Sequence, residues 1–212
     1  MTSIDNPLRA EMTALSNRHS MLELGGAFVP AMVEESWGSY ARVVAAQLAS
    51  LASRGHLWFF YGGEYGGPRG LQAGLLPDPA DDLRSDERQL VDLLFGDART
   101  IRIAQRNRGY GWDDLAAGVR GALREQGLGW LRRDRYRLIR RLMSLRKSMC
   151  DRTRSGLRQW GDDPELCRAG VPFAVLFNID TGAYHWPQAP EEELWVPSML
   201  SWACDMAMVD PR

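Results

Sequence analysis

Gly109–Lys147 reads GYGWDDLAAGVRGALREQGLGWLRRDRYRLIRRLMSLRK, and how this stretch folds decides how its flanks are read. Trp112, Leu115, Ala116, Val119 and Leu123 recur at helical spacing, with Asp113 and Asp114 where the helix dipole favours anions. Gly127 and Gly129 interrupt the pattern, and from Arg132 onward a basic residue falls at nearly every second or third position. At about 100° per residue, Arg133, Arg137, Arg140 and Lys147 lie within roughly 80° of one another, with Ser144 inside the stripe. Leu138, Leu142, Leu145 and Met149 take the opposite side. The expectation is a basic helical hairpin whose second helix buries its leucines and turns a rod of positive potential outward.

Charge sets this block apart from the rest of the 212 residues. Residues 99–158 hold 17 basic against 5 acidic residues, a balance of +12. Residues 1–98 balance at -6 and residues 159–212 at -7, so a net charge of -1 conceals a polarised chain. Lys147 is the only lysine among 26 basic residues; such a bias can come from base composition, so each arginine is not read as selected for bidentate recognition. A hydrophobic share of 45% and a charged share of 25% are ordinary for a globular protein and argue against wholesale disorder. Cys150, Cys167 and Cys204 are odd in number and lack CxxC spacing, which speaks against a disulfide framework or a cysteine zinc site. No apolar run approaches ~20 residues and no secretory layout is visible, so the expected location is cytoplasmic, without membrane contact.

Outside the block, residues 1–20 read as polar and irregular or weakly helical. A first helix is expected from Ala31 to Arg54, with Met32, Trp37, Tyr40, Val44, Leu48 and Leu51 on one buried face and Gly55 as its stop. Trp58-Phe59-Phe60, within LWFFY, is strand-like, and the paired glycines at 62–63 and 66–67 mark turns between short strands. Ser85 is expected to cap a helix running to Phe95, with Leu90, Val91 and Leu94 inward and Gly96 ending it. TIRIAQ is ambiguous between strand and helix. The apolar run Val171–Phe177 has the length of a buried strand, pairing with a second strand across a turn at Asp180–Gly182. The tail from Pro190 to Met208 reads as a helix with an acidic start. The fold class is therefore α+β, mainly helical: a helical core, a small antiparallel β element and a central helix-turn-helix-like hairpin. Three regions compose one compact domain: 1–98 acidic with a glycine loop, 99–158 the basic hairpin, and 159–212 a β-hairpin plus a C-terminal helix.

The run Gly109-x-x-Trp112-x-x-Leu115-Ala116, followed by Gly127 and a second arginine-rich helix, resembles the helix-turn-helix segments of bacterial and mobile-element DNA-binding proteins. In those proteins the second helix enters the major groove. The resemblance implies contacts from Arg132, Arg133, Arg137, Arg140, Arg141, Ser144 and Lys147, with Trp130 in the glycine-rich break able to stack on a base. The second helix is nearly bare of Asn and Gln, which read adenine edges, so phosphate contact and shape are expected over base readout.

Other candidates compete. The segment Gly62–Gly70 has glycines that let amides approach an anion, but it lacks the Lys-Ser/Thr ending of a P-loop, and Glu64 repels phosphate. Asp180-Thr181-Gly182 is similar to the active-site turn of retroviral-type aspartic proteases; no glycine follows Gly182, and Asp-Thr-Gly is also ordinary turn chemistry. His19, His56 and His185 show no metal-ligand spacing.

The first functional expectation is a DNA- or RNA-binding accessory or regulatory protein, with no metal or cofactor, acting as a dimer or on a mobile element. The second is a non-enzymatic inhibitor-type protein whose arginine face and tryptophans engage an acidic protein. In both, the blunt competitor is a solvated face neutralised by the chain's own acidic flanks. The third is an enzyme in which Glu64, Asp180 and His185 converge.

Overall fold

The computed structural model describes residues 6–28, 37–61, 70–76, 82–104, 132–155, 164–179, 184–185, 194–195, 200 and 203–204. These residues form a mainly helical α+β fold: six helices and a three-stranded antiparallel sheet, with a two-stranded pair in addition.

The N-terminal region is more ordered than its polarity implies. Asn6 and Pro7 start helix α1 (Pro7–Arg18): the Asn6 side chain accepts from the Leu8 N–H at 3.2 Å, and Pro7 occupies a position needing no donor. α1 is wet on most sides and buries Met12 and Leu15, three residues apart. Ser20 then opens helix α2 (Met21–Phe28), its Oγ accepting from the Glu23 N–H at 3.1 Å.

Helix α3 (Trp37–Ser53) is the centre of the molecule. Its run from Val43 to Ala46, with Leu48, Ala49, Leu51 and Ala52, is buried, as expected of a helix that is apolar all round. Val44, Leu48 and Leu51 face inward as the spacing predicted; the side chains of Met32, Trp37 and Tyr40 lie outside the described residues. α2 comes so near α3 that a Cβ on Gly25 would sit 2.5 Å from Val43 Cγ2, so only glycine fits there without rearrangement. α3 ends at Gly55 with φ 83°: the Gly55 N–H bonds the Ala52 carbonyl at 3.0 Å and the His56 N–H bonds Leu51 at 2.9 Å.

Strands β1 (Leu57–Tyr61), β2 (Leu71–Leu75) and β3 (Thr100–Arg102) form the sheet in that order, which settles TIRIAQ as strand at its start. Phe59, Ala73 and Ile101 align across it and point to the core. On the other face Trp58 stacks on Phe60 with centroids 4.4 Å apart. The Trp58 indole leans across Gly74, where an added Cβ would lie 2.2 Å from its Nε1.

Between β2 and β3 runs helix α4 (Ser85–Phe95). Its N-cap is Arg84 rather than Ser85. The Glu87 carboxylate, at the third helical position, takes the Arg84 N–H at 3.1 Å, so the cap is made from inside the helix. Leu90 and Val91 are buried, Leu94 is half-buried, and Gly96 ends the helix.

Helix α5 (Arg132–Ser155) is the helix expected as the second of the basic block; the residues expected to form the first lie outside the described residues. Helix α6 (Pro164–Phe177) corrects the strand expected at Val171–Phe177. A seven-residue apolar run shows no period when every side is buried, so helix and strand look alike in it. Pro164 at the first position and Glu165 in the first turn mark the start. Asn178, at φ 54°, marks the end: its N–H bonds Val175 at 3.2 Å and the Ile179 N–H bonds Ala174 at 2.9 Å, the pattern that closes α3. Pro172 removes one backbone donor inside α6 without ending it. α6 packs along α3 more extensively than any other described pair of elements, and its Phe177 meets Phe28 of α2 with ring centroids 4.9 Å apart.

Tyr184–His185 is strand β4, as expected, but its partner is strand β5 (Leu194–Trp195). The expected β-hairpin between 171–177 and this strand is therefore absent, and Leu194–Trp195 is extended where a helix was expected. Helical backbone is described at residues 203–204, and the turn at 180–182 lies outside the described residues.

Candidate nucleic-acid interface

α5 is held by its apolar side. Leu138, Leu142, Leu145 and Met149 are buried, and the helix packs on α1, α2 and α6. Burying that side forces the other outward: Arg133, Arg137, Arg140, Ser144 and Lys147 are all exposed. From the first to the last of these cations the helix rises about 21 Å at 1.5 Å per residue.

The blunt competitor, neutralisation by the chain's own acids, applies to part of this set. Arg141 sits on the flank, where its Nε and Nη2 donate to the two oxygens of Glu11 on α1, the latter at 2.8 Å. Asp134, 3.8 Å from Arg137, is an exposed neighbour one turn away. Among the described residues, Arg133, Arg140 and Lys147 have no carboxylate within ion-pair reach. Trp130 and the Arg132 side chain lie outside the described residues.

The structure adds two residues that the charge pattern did not single out. Tyr136 is 59% and Met143 42% exposed, the exposed large hydrophobics among the described residues, and both flank the arginine stripe. The Arg140 guanidinium carbon lies 5.7 Å from the Tyr136 ring centroid. The helical wheel that gathers the arginines carried this signal too, since positions 136 and 143 share one edge of it.

A second polar constellation is buried between α2, α3 and α4. Glu87, fully buried, receives Gln47 Nε2 at 3.0 Å and contacts Arg54 at 2.7 Å and Arg84 at 3.3 Å. Gln47 Oε1 accepts from the Leu22 N–H at 3.2 Å, and Arg84 donates to the Ser16 carbonyl at 2.6 Å. Ser20 Oγ donates to Asp86, and His19 contacts Glu23 at 3.1 Å, which holds the Glu23 carboxyl below its ordinary value of 4.5. The Glu87 oxygens are occupied by protein donors and closed to solvent, so this cluster fastens three helices and offers a ligand nothing. Arg84 and Glu87 meet locally at the start of α4, but no local pattern joins them to Gln47 and Arg54, which reach them only in the fold.

His56 borders that cluster. It is 7% exposed, and its Nε2 lies 3.1 Å from Asp82 Oδ1 without hydrogen-bond geometry. Burial pushes its pKa down from the ordinary 6.5, because Asp82, 72% exposed, is too screened to compensate. Glu64, Asp180 and the His185 side chain lie outside the described residues, as do residues 62–69 of the glycine loop. Among the described residues no group of three His, Cys, Asp or Glu side chains could hold a metal ion. None of the three cysteines forms a disulfide, and no helix among the described residues is long and apolar enough to cross a membrane. An open groove of about 620 Å³ runs beside α4, lined by Leu83, Ser85, Arg88, Gln89, Asp92 and Leu93; no residue singled out as catalytic borders it.

Searches of family models, curated proteins and solved structures give no match. The functional reading therefore rests on the geometry of α5.

Proposed function

We propose that this protein binds nucleic acid through the outer face of α5, chiefly by contacts to phosphate, as an accessory or regulatory factor. One observation carries the reading. Arg133, Arg137, Arg140 and Lys147 share one exposed face, and three of them have no acidic partner among the described residues, while the neighbouring Arg141 is neutralised by Glu11. Guanidinium forks bridge phosphate oxygens, and condensed counterions leave as they do so. α5 contains neither Asn nor Gln, the residues that read adenine edges, so the face contributes chiefly affinity and register.

The test is the salt dependence of binding, read by fluorescence anisotropy. Four phosphate contacts give a log–log slope of roughly -3.6 on duplex and -2.8 on a single strand, a loss of about 50- to 150-fold between ~50 and ~200 mM salt. Replacing all four cations by Gln should flatten the slope and abolish binding in that range. A wild-type protein that binds neither form at ~50 mM salt contradicts the reading.

A further inference from the structure

The wheel that gathers the cations also leaves two large apolar side chains in water. Tyr136 and Met143 are seven positions apart, so two turns bring them one above the other, about 10 Å apart along the axis. Both lie on the edge of the stripe next to Arg140 and Lys147. A tyrosine 59% exposed is not explained by the core, which α5 reaches through its leucines. The Arg140 guanidinium lies over one face of the Tyr136 ring. That cation–π contact orients the phenol beside the phosphate-binding groups and leaves a second ring face.

We infer that the α5 face takes single-stranded nucleic acid, with an unpaired base stacked on Tyr136 while Arg133, Arg137, Arg140 and Lys147 hold the phosphates. This rests on the nucleic-acid reading above and deepens it. A duplex keeps its base faces inside the stack, so a phenol and a thioether reach them only by unstacking a base step, at a cost an unpaired base does not incur. An unpaired base offers a π-face of matching size, and stacking on it tolerates any base identity. That tolerance fits a helix without Asn or Gln. Met143, flexible and polarisable, packs against the neighbouring base or sugar.

The experiment compares three labelled probes at one salt concentration: a ~20-nucleotide oligothymidylate, an abasic strand with the same phosphates, and a ~20-bp duplex. Wild type should bind the oligothymidylate about 5- to 100-fold tighter than the abasic strand, and tighter than the duplex. Tyr136→Ala should cut the preference for oligothymidylate over the abasic strand about 5-fold or more, with the circular dichroism spectrum unchanged. Tyr136→Phe, which keeps the ring, should restore it. Equal wild-type affinity for oligothymidylate and abasic strand overturns the inference but leaves phosphate binding standing, as does a preference for duplex. Failure to bind all three at low salt overturns both, and capture of polyglutamate in their place marks an acidic protein as the partner.

Discussion

Glu11 on α1 grips Arg141 on α5 through two N–H···O contacts, the Nη2–Oε2 one at 2.8 Å. The pair joins elements 130 residues apart, on a helix whose outward side is already set by its buried leucines. It also withdraws one guanidinium from the basic face. Glu11→Gln should cost only about 0.5 kcal/mol in urea unfolding, since both partners are partly exposed. With Arg141 released, nucleic-acid affinity should rise a few-fold and the salt slope should steepen by just under one unit. A fall in affinity would mean that the pair matters for positioning α5 more than for masking charge.

Gly25 meets Val43 where α2 crosses α3, with a built Cβ 2.5 Å from Val43 Cγ2. Gly25→Ala should destabilise the protein by about 1–3 kcal/mol through overpacking. Adding Val43→Ala removes the obstructing methyls, so the double variant should be less destabilised than the two single costs sum to. A thermodynamic cycle by chemical denaturation reads this coupling directly.

The Glu87 cluster should behave as a structural clamp. Glu87→Ala leaves Arg54, Arg84 and Gln47 without their shared carboxylate, at a cost of about 3 kcal/mol, the low end for a broken buried pair because both arginines are partly exposed. At temperatures where the variant stays folded, its nucleic-acid affinity should match wild type. A selective loss of binding, with stability intact, would mean the cluster acts on the interface.

Acid should weaken the fold through His56. Its folded pKa lies below the ordinary 6.5, so the unfolded chain binds its proton first. The stabilisation is complete above 6.5 and declines as pH falls from there toward the folded pKa. Asp82, Arg54 and Glu87 are the charges around the imidazole, and burial outweighs the attraction of Asp82. Melting temperature should therefore drop between pH ~7 and ~5 in wild type, and His56→Gln should flatten that part of the profile. An unchanged profile in the variant would show that the acid sensitivity comes from other groups.

How much of the fold is legible in the residue order follows from which elements keep a wet face. α5 has one, so the alternation of Leu138, Leu142, Leu145 and Met149 with arginines shows its period and its two sides. α6 has none over Val171–Phe177, and its run lost the period that would have named it a helix. The two ends make the contrast sharp. Gly55 and Asn178 both take positive φ and close the same paired carbonyl bonds, but glycine is the habitual occupant of that position and asparagine passes unnoticed. α1 reads as irregular or weakly helical for the opposite reason: only Met12 and Leu15 are buried, and the signal that decides for a helix lies in Asn6-Pro7. The site was half legible. The cations follow from spacing, whereas the Glu11–Arg141 pair that divides masked from open charge is a contact between remote segments that no local pattern carries.

One measurement separates the position of charge from its amount. Affinity for the oligothymidylate is measured for wild type, for Arg133→Gln/Arg140→Gln/Lys147→Gln, and for Arg18→Gln/Arg99→Gln/Arg168→Gln, which removes equal charge from exposed sites elsewhere. If α5 is the interface, the first variant loses about 10-fold or more at ~150 mM salt and the second changes less than about 3-fold. Equal losses in both would show that binding follows overall charge and that the outer face of α5 is not the site.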